Sequence, residues 1–457
     1  MVSKIQKFCA LDSSTLKEAI IKIEQNQEGF VLVENHLKQI LGTLTDGDIR
    51  RALLAGAQLS DLALNFINKN FIYLDDNSIE HESIYKKLDQ EITFIPVLDN
   101  KKRLLKFITK DTIPSRFEKL ITARSKSPVR ISFGGGGSDT TAFFKDNNGA
   151  VINSTISLYS HCSLSKRTDS KINIDSADLN INKSYLSLDE FLNSDKCALD
   201  LIKATIKVIN PSFGFDLYVQ SDFPLRSGLG GSAVVVSSVI GCFNEFRIDK
   251  WSSYEIAELA YQAERLNMGI SGGWQDQYAT VFGGFNFMEF SNRQNLIHPL
   301  RLSETTKSSL EQNLILCYTN TSHKSSDIHQ DQKSNLDNKG IQENVKKNVK
   351  IAYKMRESLL KENLNDFSDL MNDSWELKKS YSDDISTDYL DKIYLGARKN
   401  GALSGKLLGS GGGGYFLFFT NFSKRNKLIN WIKSEGLIYT NFKFEDVGLK
   451  SWIERNN

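Results

Sequence analysis

A segment rich in glycine and serine, PLRSGLGGSAVVV at residues 224–236, lies between a predicted strand and a predicted helix. Residues 213–222 (FGFDLYVQSD) alternate apolar and polar side chains, as a half-buried strand does, whereas residues 233–246 (AVVVSSVIGCFNEF) are mostly apolar and predict a buried helix. The first turn of a helix offers N–H groups without partners and the positive end of the helix dipole, and glycines let an anion approach them. The segment therefore predicts either a phosphate site or a tight connection in which Ser232 caps the helix.

Two further glycine clusters occur, SPVRISFGGGGSDTTAFF at residues 127–144 and GKLLGSGGGGYFLFF at residues 405–419. Three glycine-rich loops, each beside a strand or a helix, exceed what turns alone require, and they favour phosphate binding. The chain has neither the Walker loop of P-loop enzymes nor the HRD and DFG motifs of protein kinases. Nucleotide binding would therefore use a different fold.

Two acidic residues, Glu264 and Asp276, lie at positions where the surrounding sequence suggests a specific role for a carboxylate. Residues 252–269 predict one helix, on which Glu264 continues an apolar row with Ile256 and Ala260. A buried carboxylate is costly unless it meets a cation, so Glu264 predicts either a pair with a nearby arginine or a metal ligand. Asp276 follows a glycine turn, where the ordinary role of an aspartate is to be the N-cap of a helix.

The composition excludes several classes of protein. The 457 residues include 57 basic and 55 acidic side chains, and this balance gives no electrostatic signature of nucleic-acid binding. The five cysteines are scattered and form no CxxC pair, so we expect neither a disulfide framework nor a cysteine zinc site, and a reducing cytoplasm fits. The N-terminus lacks the apolar core of a signal peptide, and no apolar run is long enough to span a bilayer, so no membrane partner is expected.

The first 115 residues contain an internal repeat. FVLVENHLKQILGTLT (30–45) aligns without a gap on FIPVLDNKKRLLKFIT (94–109), and each predicts a strand, a polar turn and a second strand. Each copy follows an amphipathic helical stretch, and DGDIRRALLAG after the first copy predicts a further helix. Two small α/β units in tandem are the simplest interpretation. Residues 116–127 then predict a polar, basic linker.

The stretch GTLTDGDIRRALLAG (42–56) resembles a CBS module, a motif found in pairs that often bind adenosine nucleotides. The resemblance implies that Thr45 and Asp48 hold the ribose hydroxyls of such a nucleotide. The second copy keeps Thr109, but Thr112 stands where the acid is expected. Two roles stay open for the pair: nucleotide binding at the first copy, or a structural or dimerising role without a ligand that would make the chain a homo-oligomer.

The three glycine loops together resemble the GHMP kinase superfamily of small-molecule kinases. In that family the central loop binds ATP, and the loop here departs from the usual pattern because Gly231 replaces the first of two serines. The resemblance implies that Ser232 and Glu264 hold Mg²⁺. It assigns the ATP site to Pro224, Arg226, Ser227, Gly228, Leu229, Gly230, Gly231, Ser232 and Ala233.

The same resemblance implies roles around the sugar. Asp276 would accept the proton of the substrate hydroxyl, Arg130 would orient Asp276 and stabilise developing phosphate charge, and Asp139 would bind sugar hydroxyls. Further substrate contacts are assigned to Gly136, Gly137, Ser138, Gly272, Gly273, Gly411 and Gly412.

Longer stretches within residues 126–420 narrow the resemblance to the D-glycero-D-manno-heptose 7-phosphate kinases. They are PVRISFGGGGSDTTAFFKDNNGAVINSTI, GGWQDQYATVFGGFNFMEF, NLILCYTNTSHKSSDIHQDQ and KLLGSGGGGYFLFF. This resemblance implies ATP-dependent phosphorylation of the anomeric hydroxyl, giving a heptose 1,7-bisphosphate for nucleotide-activated heptose and surface polysaccharide. The substrate's own phosphate would contact His323 and Lys324, with Arg226 as a second candidate. The alternatives are a kinase for another sugar, such as fucose, a uronic acid or an octose phosphate, and a non-catalytic sensor of nucleotide and sugar.

The expected architecture is α+β. A CBS pair (1–115) and a linker (116–127) would precede the two halves of a GHMP kinase, a ribosomal-protein-like N-terminal half (128–298) and a ferredoxin-like C-terminal half (299–457). The active site would lie in the cleft between these halves.

Overall fold

The computed structural model describes residues 6–76, 81–90, 92–113, 121–321 and 338–455. The chain divides into two compact units, Met1–Lys119 and Leu120–Asn457. No helix within the described ranges is long and apolar enough to cross a membrane.

In the first unit, each sequence repeat folds into a three-stranded sheet. The first copy comprises β1 (Cys9–Leu11), α1 (Leu16–Asn26), β2 (Phe30–Glu34), β3 (Ile40–Thr45) and α2 (Asp46–Leu54). The second copy comprises β4 (Leu74–Asp75), α3 (His81–Asp89), β5 (Ile95–Leu98) and β6 (Leu104–Ile108). In both sheets the first strand runs parallel to the second, and the second forms an antiparallel hairpin with the third.

The two copies contact each other through equivalent residues. The ring centroids of Phe30 and Phe94 lie 5.7 Å apart, and Gln39 forms an isolated β-bridge with Arg103. The members of each pair are 64 positions apart, which is the offset of the repeat. The internal repeat is therefore confirmed, and its copies are related by a local two-fold axis.

The second unit contains an eight-stranded sheet. Its strands are β7 (Ile121–Gly134), β8 (Gly149–Lys166), β9 (Ile172–Ser176), β10 (Ile181–Tyr185), β11 (Phe215–Ser221), β12 (Phe285–Phe290), β13 (Asn295–Pro299) and β18 (Lys450–Arg455). The long strand β8 pairs with β7 along one edge, and along its other edge it pairs first with β12 and then with β11. All pairs are antiparallel except β9 with β11.

The helices of this half are α4 (Thr141–Phe144), α5 (Leu188–Asn193), α6 (Asp200–Ile209), α7 (Gly231–Glu245), α8 (Ser253–Tyr261) and α9 (Gln275–Phe282). Of these, α6, α8 and α9 pack against α7. Most side chains of α7 are buried against β7, β8 and the neighbouring helices, which confirms the buried helix predicted after the central glycine loop. The helix predicted over residues 252–269 changes its winding, because α8 continues as a π-helix at Gln262–Asn267.

The C-terminal half is a four-stranded antiparallel sheet with helices packed on it. Its strands are β14 (Leu314–Tyr318), β15 (Ala402–Leu407), β16 (Tyr415–Thr420) and β17 (Ile438–Thr440). Its helices are α10 (Glu304–Asn313), α11 (Lys339–Leu360), α12 (Leu364–Lys379), α13 (Asp388–Lys399) and α14 (Phe422–Ser434). The strands lie in the order β15, β16, β14, β17, and every residue of β16 is buried.

The structure corrects two predicted boundaries. β7 begins at Ile121, inside the range predicted as a linker, and its small buried residues Ala123 and Ser125 face α7. A row of small, partly polar residues has little hydrophobic periodicity, so its pattern does not predict a strand. The last strand, β18, pairs with β7, so the end of the described chain belongs to the sheet of the N-terminal half.

Candidate active site

Arg130 and Asp276 form the central ion pair of the site. Arg130 lies on β7 and Asp276 in the first turn of α9, and Arg130 Nε and Nη2 are each 2.8 Å from Asp276 Oδ1. Arg130 Nη1 donates to the Gly228 carbonyl at 2.7 Å, so one guanidinium joins the opening strand, the carboxylate and the central glycine loop. Asp276 is not the N-cap of α9, which is Trp274. Within the described residues, Asp276 Oδ2 accepts no hydrogen bond and is open to a substrate hydroxyl.

Asp139 is the second carboxylate of the site and is almost fully buried. The Gly137 N–H donates to Asp139 Oδ1 and the Gln275 N–H donates to Asp139 Oδ2, each at 3.2 Å. Burial, and then the negative charge of Asp276, raise the pKa of Asp139 above its usual value. A Cβ on Gly273 would lie 1.9 Å from Asp139 Oδ2, so the carboxylate occupies space that only a glycine at position 273 leaves open.

Two buried lysines of the C-terminal half reach the same site. Lys378 on α12 donates to the Gly409 carbonyl, and Lys406 on β15 donates to the Phe133 carbonyl at 2.9 Å. Burial, and then the charge of Arg130, lower the pKa of Lys378 to about 8. Burial, and then the charge of Lys378, lower the pKa of Lys406 well below its usual value. Both ammonium groups would therefore be stabilised by an anion nearby.

These side chains line one cavity between the two halves of the second unit, which we call the catalytic cleft. Among the described residues, its charged side chains are Arg130, Arg265, Lys378 and Lys406 on one hand and Asp139 and Asp276 on the other. With Glu264, which pairs with Arg265, four basic side chains face three carboxylates, and a phosphate group would stabilise the charged forms of the two lysines.

A second cavity, the side cavity, has a volume of about 230 Å³ and adjoins the cleft. It lies beside the π-helix Gln262–Asn267. Gly137, Thr140, Arg265 and Tyr381 line both cavities. A sugar bound in the cleft can therefore extend into the side cavity.

The central glycine loop leaves the start of α7 open. Gly230 is the N-cap, in the left-handed region at φ 77°, and no side chain caps the helix. The alternative that Ser232 is the N-cap is therefore wrong. Within the described residues, the buried Ser227 hydroxyl has no hydrogen-bond partner. The first-turn N–H groups of α7 and this hydroxyl are donors of the kind that a phosphate requires.

The late glycine cluster packs against the central loop. A Cβ on Gly409 would lie 2.6 Å from Gly228 Cα, and a Cβ on Gly414 would lie 2.4 Å from the Ser227 carbonyl oxygen. The backbone N–H of Tyr415 donates to that same carbonyl at 3.1 Å. These glycines are therefore required because two backbones touch each other, independently of any ligand.

Glu264 is buried and both of its oxygens have partners. Oε1 lies 3.1 Å from Arg265 Nη1, and Oε2 accepts a hydrogen bond from Gln277 Nε2 at 2.6 Å. The structure therefore contains the arginine pair that the sequence left open for this carboxylate. No group of three metal-ligating side chains occurs in the part of the chain that the structure describes. A carboxylate such as that of Glu264 and a hydroxyl such as that of Ser232 are oxygen ligands of the kind that Mg²⁺ takes beside phosphate and water.

The predicted glycine contacts are divided between the two cavities. Gly136, Gly137 and Gly273 line the catalytic cleft, and Gly272 lines the side cavity.

Three predicted substrate contacts are corrected. Ser138 is fully buried, and its hydroxyl donates to the Gly135 and Ala150 carbonyls, so it fastens the opening loop to β8. Gly411 and Gly412 pack against Ile385, where a Cβ on Gly411 would collide and the Gly412 N–H donates to the carbonyl at 2.9 Å. Neither glycine lines the cleft among the described residues.

Of the residues assigned to phosphates, Pro224 and Arg226 are exposed, whereas Leu229 and Ala233 are buried and can offer only their backbone groups. The two residues predicted to bind the substrate phosphate, His323 and Lys324, lie outside the described residues.

Thr45 and Asp48 form the capping box of α2. Thr45 Oγ1 donates to Asp48 Oδ2 at 2.7 Å, and the Asp48 N–H donates to Thr45 Oγ1 at 3.2 Å. Asp48 Oδ1 also pairs with Arg51 at 2.5 Å. In the second copy, the Thr109 and Thr112 hydroxyls make the equivalent contact at 3.0 Å. The predicted ribose ligands thus have a structural role in the fold.

Sequence reasoning missed Arg265, Lys378 and Lys406. Lys378 continues the buried row of Phe367 and Met371 on α12, so the argument that singled out Glu264 could also have found it. Arg265 gave no such signal, because successive residues of an α-helix point about 100° apart, so the apolar row that contains Glu264 does not include Arg265.

An arginine-oriented carboxylate, an uncapped helix N-terminus and a cleft between two α/β halves suit the transfer of a phosphoryl group to a small molecule. Residues 196–284 match the family described as GHMP kinases N terminal domain, and residues 355–436 match GHMP kinases C terminal. The chain belongs to the GHMP kinases. D-glycero-alpha-D-manno-heptose 7-phosphate kinase of Campylobacter jejuni is 40% identical to it over 337 residues, which cover 72% of this chain and 99% of the relative.

Solved structures show the same fold. A D-glycero-D-manno-heptose 1-phosphate kinase from Bacteroides thetaiotaomicron is 28% identical, with a TM-score of 0.60 over 72% of this chain and 98% of its own. A structure from Campylobacter jejuni is 36% identical, with a TM-score of 0.62 over 74% of this chain and all of its own.

Proposed function

We propose that the protein is an ATP-dependent sugar-phosphate kinase that phosphorylates the anomeric hydroxyl of D-glycero-D-manno-heptose 7-phosphate. The observation that carries this proposal is the Arg130–Asp276 pair in a cleft that two buried lysines also line. The 40% identity to a relative named for this activity supports the choice of sugar. The product would be the 1,7-bisphosphate, a precursor of nucleotide-activated heptose for surface polysaccharide.

Asp276 is the residue that receives the acceptor hydroxyl. Its Oδ1 is held by two nitrogens of Arg130, so the carboxylate cannot rotate freely and its Oδ2 stays directed away from that pair. A sugar hydroxyl would donate to Oδ2 and pass its proton there as its oxygen bonds to the γ-phosphorus of ATP, while the bond from that phosphorus to the β,γ-bridging oxygen breaks and ADP leaves. Phosphoryl transfer needs mainly such positioning, together with stabilisation of the charge on the transferred group.

The cations of the cleft supply that stabilisation. Lys378 and Lys406 donate only to backbone carbonyls within the described residues, so their charges remain available to a phosphoryl group. Arg130 joins the carboxylate to the Gly228 carbonyl and fixes the acceptor relative to the nucleotide loop. Such preorganised charges act in a water-poor site, where electrostatic interactions are strong.

The nucleotide phosphates would lie at the start of α7, which has no side-chain cap. The Ser227 hydroxyl, buried without a partner in the described structure, would donate to one of their oxygens. Ser232 and Glu264 would hold Mg²⁺, and the ion would supply neutralisation of the phosphate charges.

Asp139 would bind the hydroxyls of the sugar. Two backbone N–H groups fix both of its oxygens, and its burial leaves it without water as an alternative partner. A desolvated carboxylate strongly prefers a ligand that donates hydrogen bonds to it. Sugar hydroxyls do so.

The test is a screen of ATP consumption by the full-length protein with Mg²⁺ and three groups of acceptors: sugar 7-phosphates, sugar 1-phosphates and free sugars including fucose and a uronic acid. We expect turnover with the heptose 7-phosphate and a product phosphorylated at the anomeric carbon by NMR. Turnover of a free sugar alone would reject the heptose assignment and retain the kinase. No turnover with any acceptor, together with binding of ATP and sugar, would favour a sensor.

We further propose that the first unit is a CBS pair that regulates or assembles the kinase. The support is its two-fold arrangement of repeats and the position of Thr45 and Asp48 at the start of α2. An adenosine nucleotide at the first copy would engage these two side chains, and the pair would also be the contact of a homo-oligomer.

A further inference from the structure

The proposed substrate carries a phosphate before the reaction, and Arg265 is a cation that lines both the catalytic cleft and the side cavity. We propose that Arg265 binds this phosphate in the side cavity and so makes the enzyme select phosphorylated sugars. The proposal rests on the proposed function, because it concerns the substrate of the same site.

The Arg265 guanidinium is buried, with partners at Nη1 and none at Nε among the described atoms. Nη1 lies 3.1 Å from Glu264 Oε1 and donates to the Ser271 carbonyl at 3.4 Å. Nε is buried and has no hydrogen-bond partner among the described atoms, although only 8% of the side chain is exposed. A buried donor without a partner is unfavourable, and the Nε and Nη2 edge is the one with which arginine binds phosphate through two parallel hydrogen bonds.

The glycine at position 272 makes room for this guanidinium. A Cβ on Gly272 would lie 2.6 Å from Arg265 Cζ and 2.7 Å from Nη2. Gly272 does not have a positive φ, so its backbone does not require a glycine. The guanidinium of Arg265 occupies the space that a side chain at position 272 would fill. Gly272 is therefore part of the proposed phosphate site, because it allows Arg265 to take this position.

The side cavity suits the phosphate end of a sugar. Arg265 is the only charged residue among the described residues that line it, and Thr140, Thr141 and Ser271 add polar groups. Because Arg265 also lines the catalytic cleft, its guanidinium stands where the two cavities join. A sugar with its reacting hydroxyl at Asp276 would extend its far end towards Arg265. In this orientation the phosphate already on the sugar lies apart from the phosphoryl group that is transferred.

The π-helix explains how the arginine reaches this position. The segment Gln262–Asn267 is wider than an α-helix, and it directs both Glu264 and Arg265 into the interior. Such turns are uncommon and occur frequently at functional sites. Glu264 would then position Arg265 as well as serve the metal site.

The test compares wild type, Arg265→Gln, Arg265→Lys and Arg293→Gln as full-length proteins. Arg293 is an exposed arginine between β12 and β13 and serves as the matched control. Steady-state kinetics with ATP use D-glycero-D-manno-heptose 7-phosphate and unphosphorylated D-glycero-D-manno-heptose. Losing a bidentate charged contact should lower kcat/KM for the phosphorylated sugar by about 10²-fold in Arg265→Gln. The kcat/KM of this variant for the unphosphorylated sugar should fall by much less, so the ratio of its two kcat/KM values should drop. Arg293→Gln should keep both kcat/KM values and the KM for ATP within about threefold of wild type.

Arg265→Lys keeps the charge beside Glu264 and should retain the fold while losing part of the preference for the phosphorylated sugar.

Thermal unfolding with the sugar phosphate alone adds a readout that needs no turnover: the ligand should raise the Tm of wild type and Arg293→Gln and fail to raise that of Arg265→Gln. An equal loss on both sugars, or a rise in the KM for ATP, would overturn the role of Arg265. If wild type phosphorylates no sugar phosphate, the proposed function fails and this assignment fails with it.

Discussion

At the level of single residues, the site depends on two carboxylates with different surroundings. Asp276 has one oxygen held by Arg130 and one oxygen open, whereas both oxygens of Asp139 accept backbone hydrogen bonds. The oxygen of Asp276 without a partner can receive the proton of a bound hydroxyl, whereas both oxygens of Asp139 are held by the backbone and are placed to accept hydrogen bonds from a ligand. This difference separates the reacting residue from the binding residue.

Asp276→Asn keeps the shape of the side chain and removes the proton acceptor. We expect kcat to fall by about 10²–10⁴, the usual loss for a positioned acid–base group, while the KM for ATP changes little. Steady-state kinetics measure both constants, and the exposed Asp195→Asn in the same half is the control. Near-normal turnover by Asp276→Asn would leave this residue with a structural role only.

We predict that the charge of Lys378 makes the activity depend on pH. Its pKa of about 8 means that its positive charge disappears as the pH rises through this value, so kcat/KM should decline above about pH 8. In unfolded chains the lysine keeps its proton up to about pH 10.5. Between the two pKa values the unfolded state binds more protons, so the free energy of unfolding rises as the pH increases. Unfolding caused by Lys378 therefore cannot explain a decline in activity in this range.

The check is the pH profile of Lys378→Gln beside that of its neighbour Lys379→Gln. Lys378→Gln should be slower by about 10²-fold, because it loses a charge placed on the phosphoryl group, and its profile should lack the decline near pH 8. Lys379→Gln should keep the wild-type profile. A decline that persists in Lys378→Gln would assign the titration to another group.

At the level of elements, the central and late glycine loops form one unit in which backbone packs on backbone. The two loops come from different halves of the kinase, so their contact determines how the nucleotide loop stands relative to Lys378 and Lys406. A side chain inserted between them should therefore affect both stability and catalysis.

Gly409→Ala tests this contact, and Gly436→Ala is its control. Both glycines are in the left-handed region, at φ 73° and 72°, but a Cβ on Gly409 would lie 2.6 Å from Gly228 Cα whereas Gly436 has nothing within 4 Å. Each variant should lose about 1–2 kcal/mol of unfolding free energy through its backbone conformation, and Gly409→Ala should lose about 1–3 kcal/mol more through overpacking. Denaturant titrations measure this difference, and equal losses in the two variants would show that the loops can move apart.

At the level of the whole molecule, the residues proposed for catalysis all lie in the second unit, Leu120–Asn457. A protein that starts at residue 120 keeps β7 complete, whereas one that starts at residue 126 would cut the strand that pairs with β18. We expect the chain from residue 120 to fold and to phosphorylate the sugar with a kcat within about threefold of the full-length value, since no proposed reacting group is lost. A well-folded but inactive fragment would show that the first unit contributes to the active site.

Nucleotide effects on the first unit can be measured in the same experiment. Coupling between sites is typically about 1–3 kcal/mol, so an adenosine nucleotide at Thr45 and Asp48 should change sugar affinity by about 5–150-fold at most. Asp48→Ala should abolish this effect, and the fragment from residue 120 should not show it. No change in affinity or in molecular mass with nucleotide would leave the pair a structural module.

The amino-acid sequence by itself determined the repeat in the first unit and the strand and the buried helix that flank the central loop. These are matters of periodicity and local turn chemistry, which depend on residues close together in the chain. The candidate roles of Arg130, Asp139 and Asp276 were implied by the resemblance to the GHMP kinases. The sequence did not predict the part of β7 between residues 121 and 127, because its small residues show little of that periodicity.

Only the tertiary structure decided which groups meet. Lys378 and Lys406 come from the C-terminal half, more than 200 positions after Arg130, and the late glycines meet the central loop across a similar separation. Arg265 turns inwards because the helix widens at that point, and β18 returns to the first sheet from the end of the described chain. Such contacts are fixed by the packing of complete surfaces, whose free energy depends on shape and burial in three dimensions, and no local pattern of residues records them.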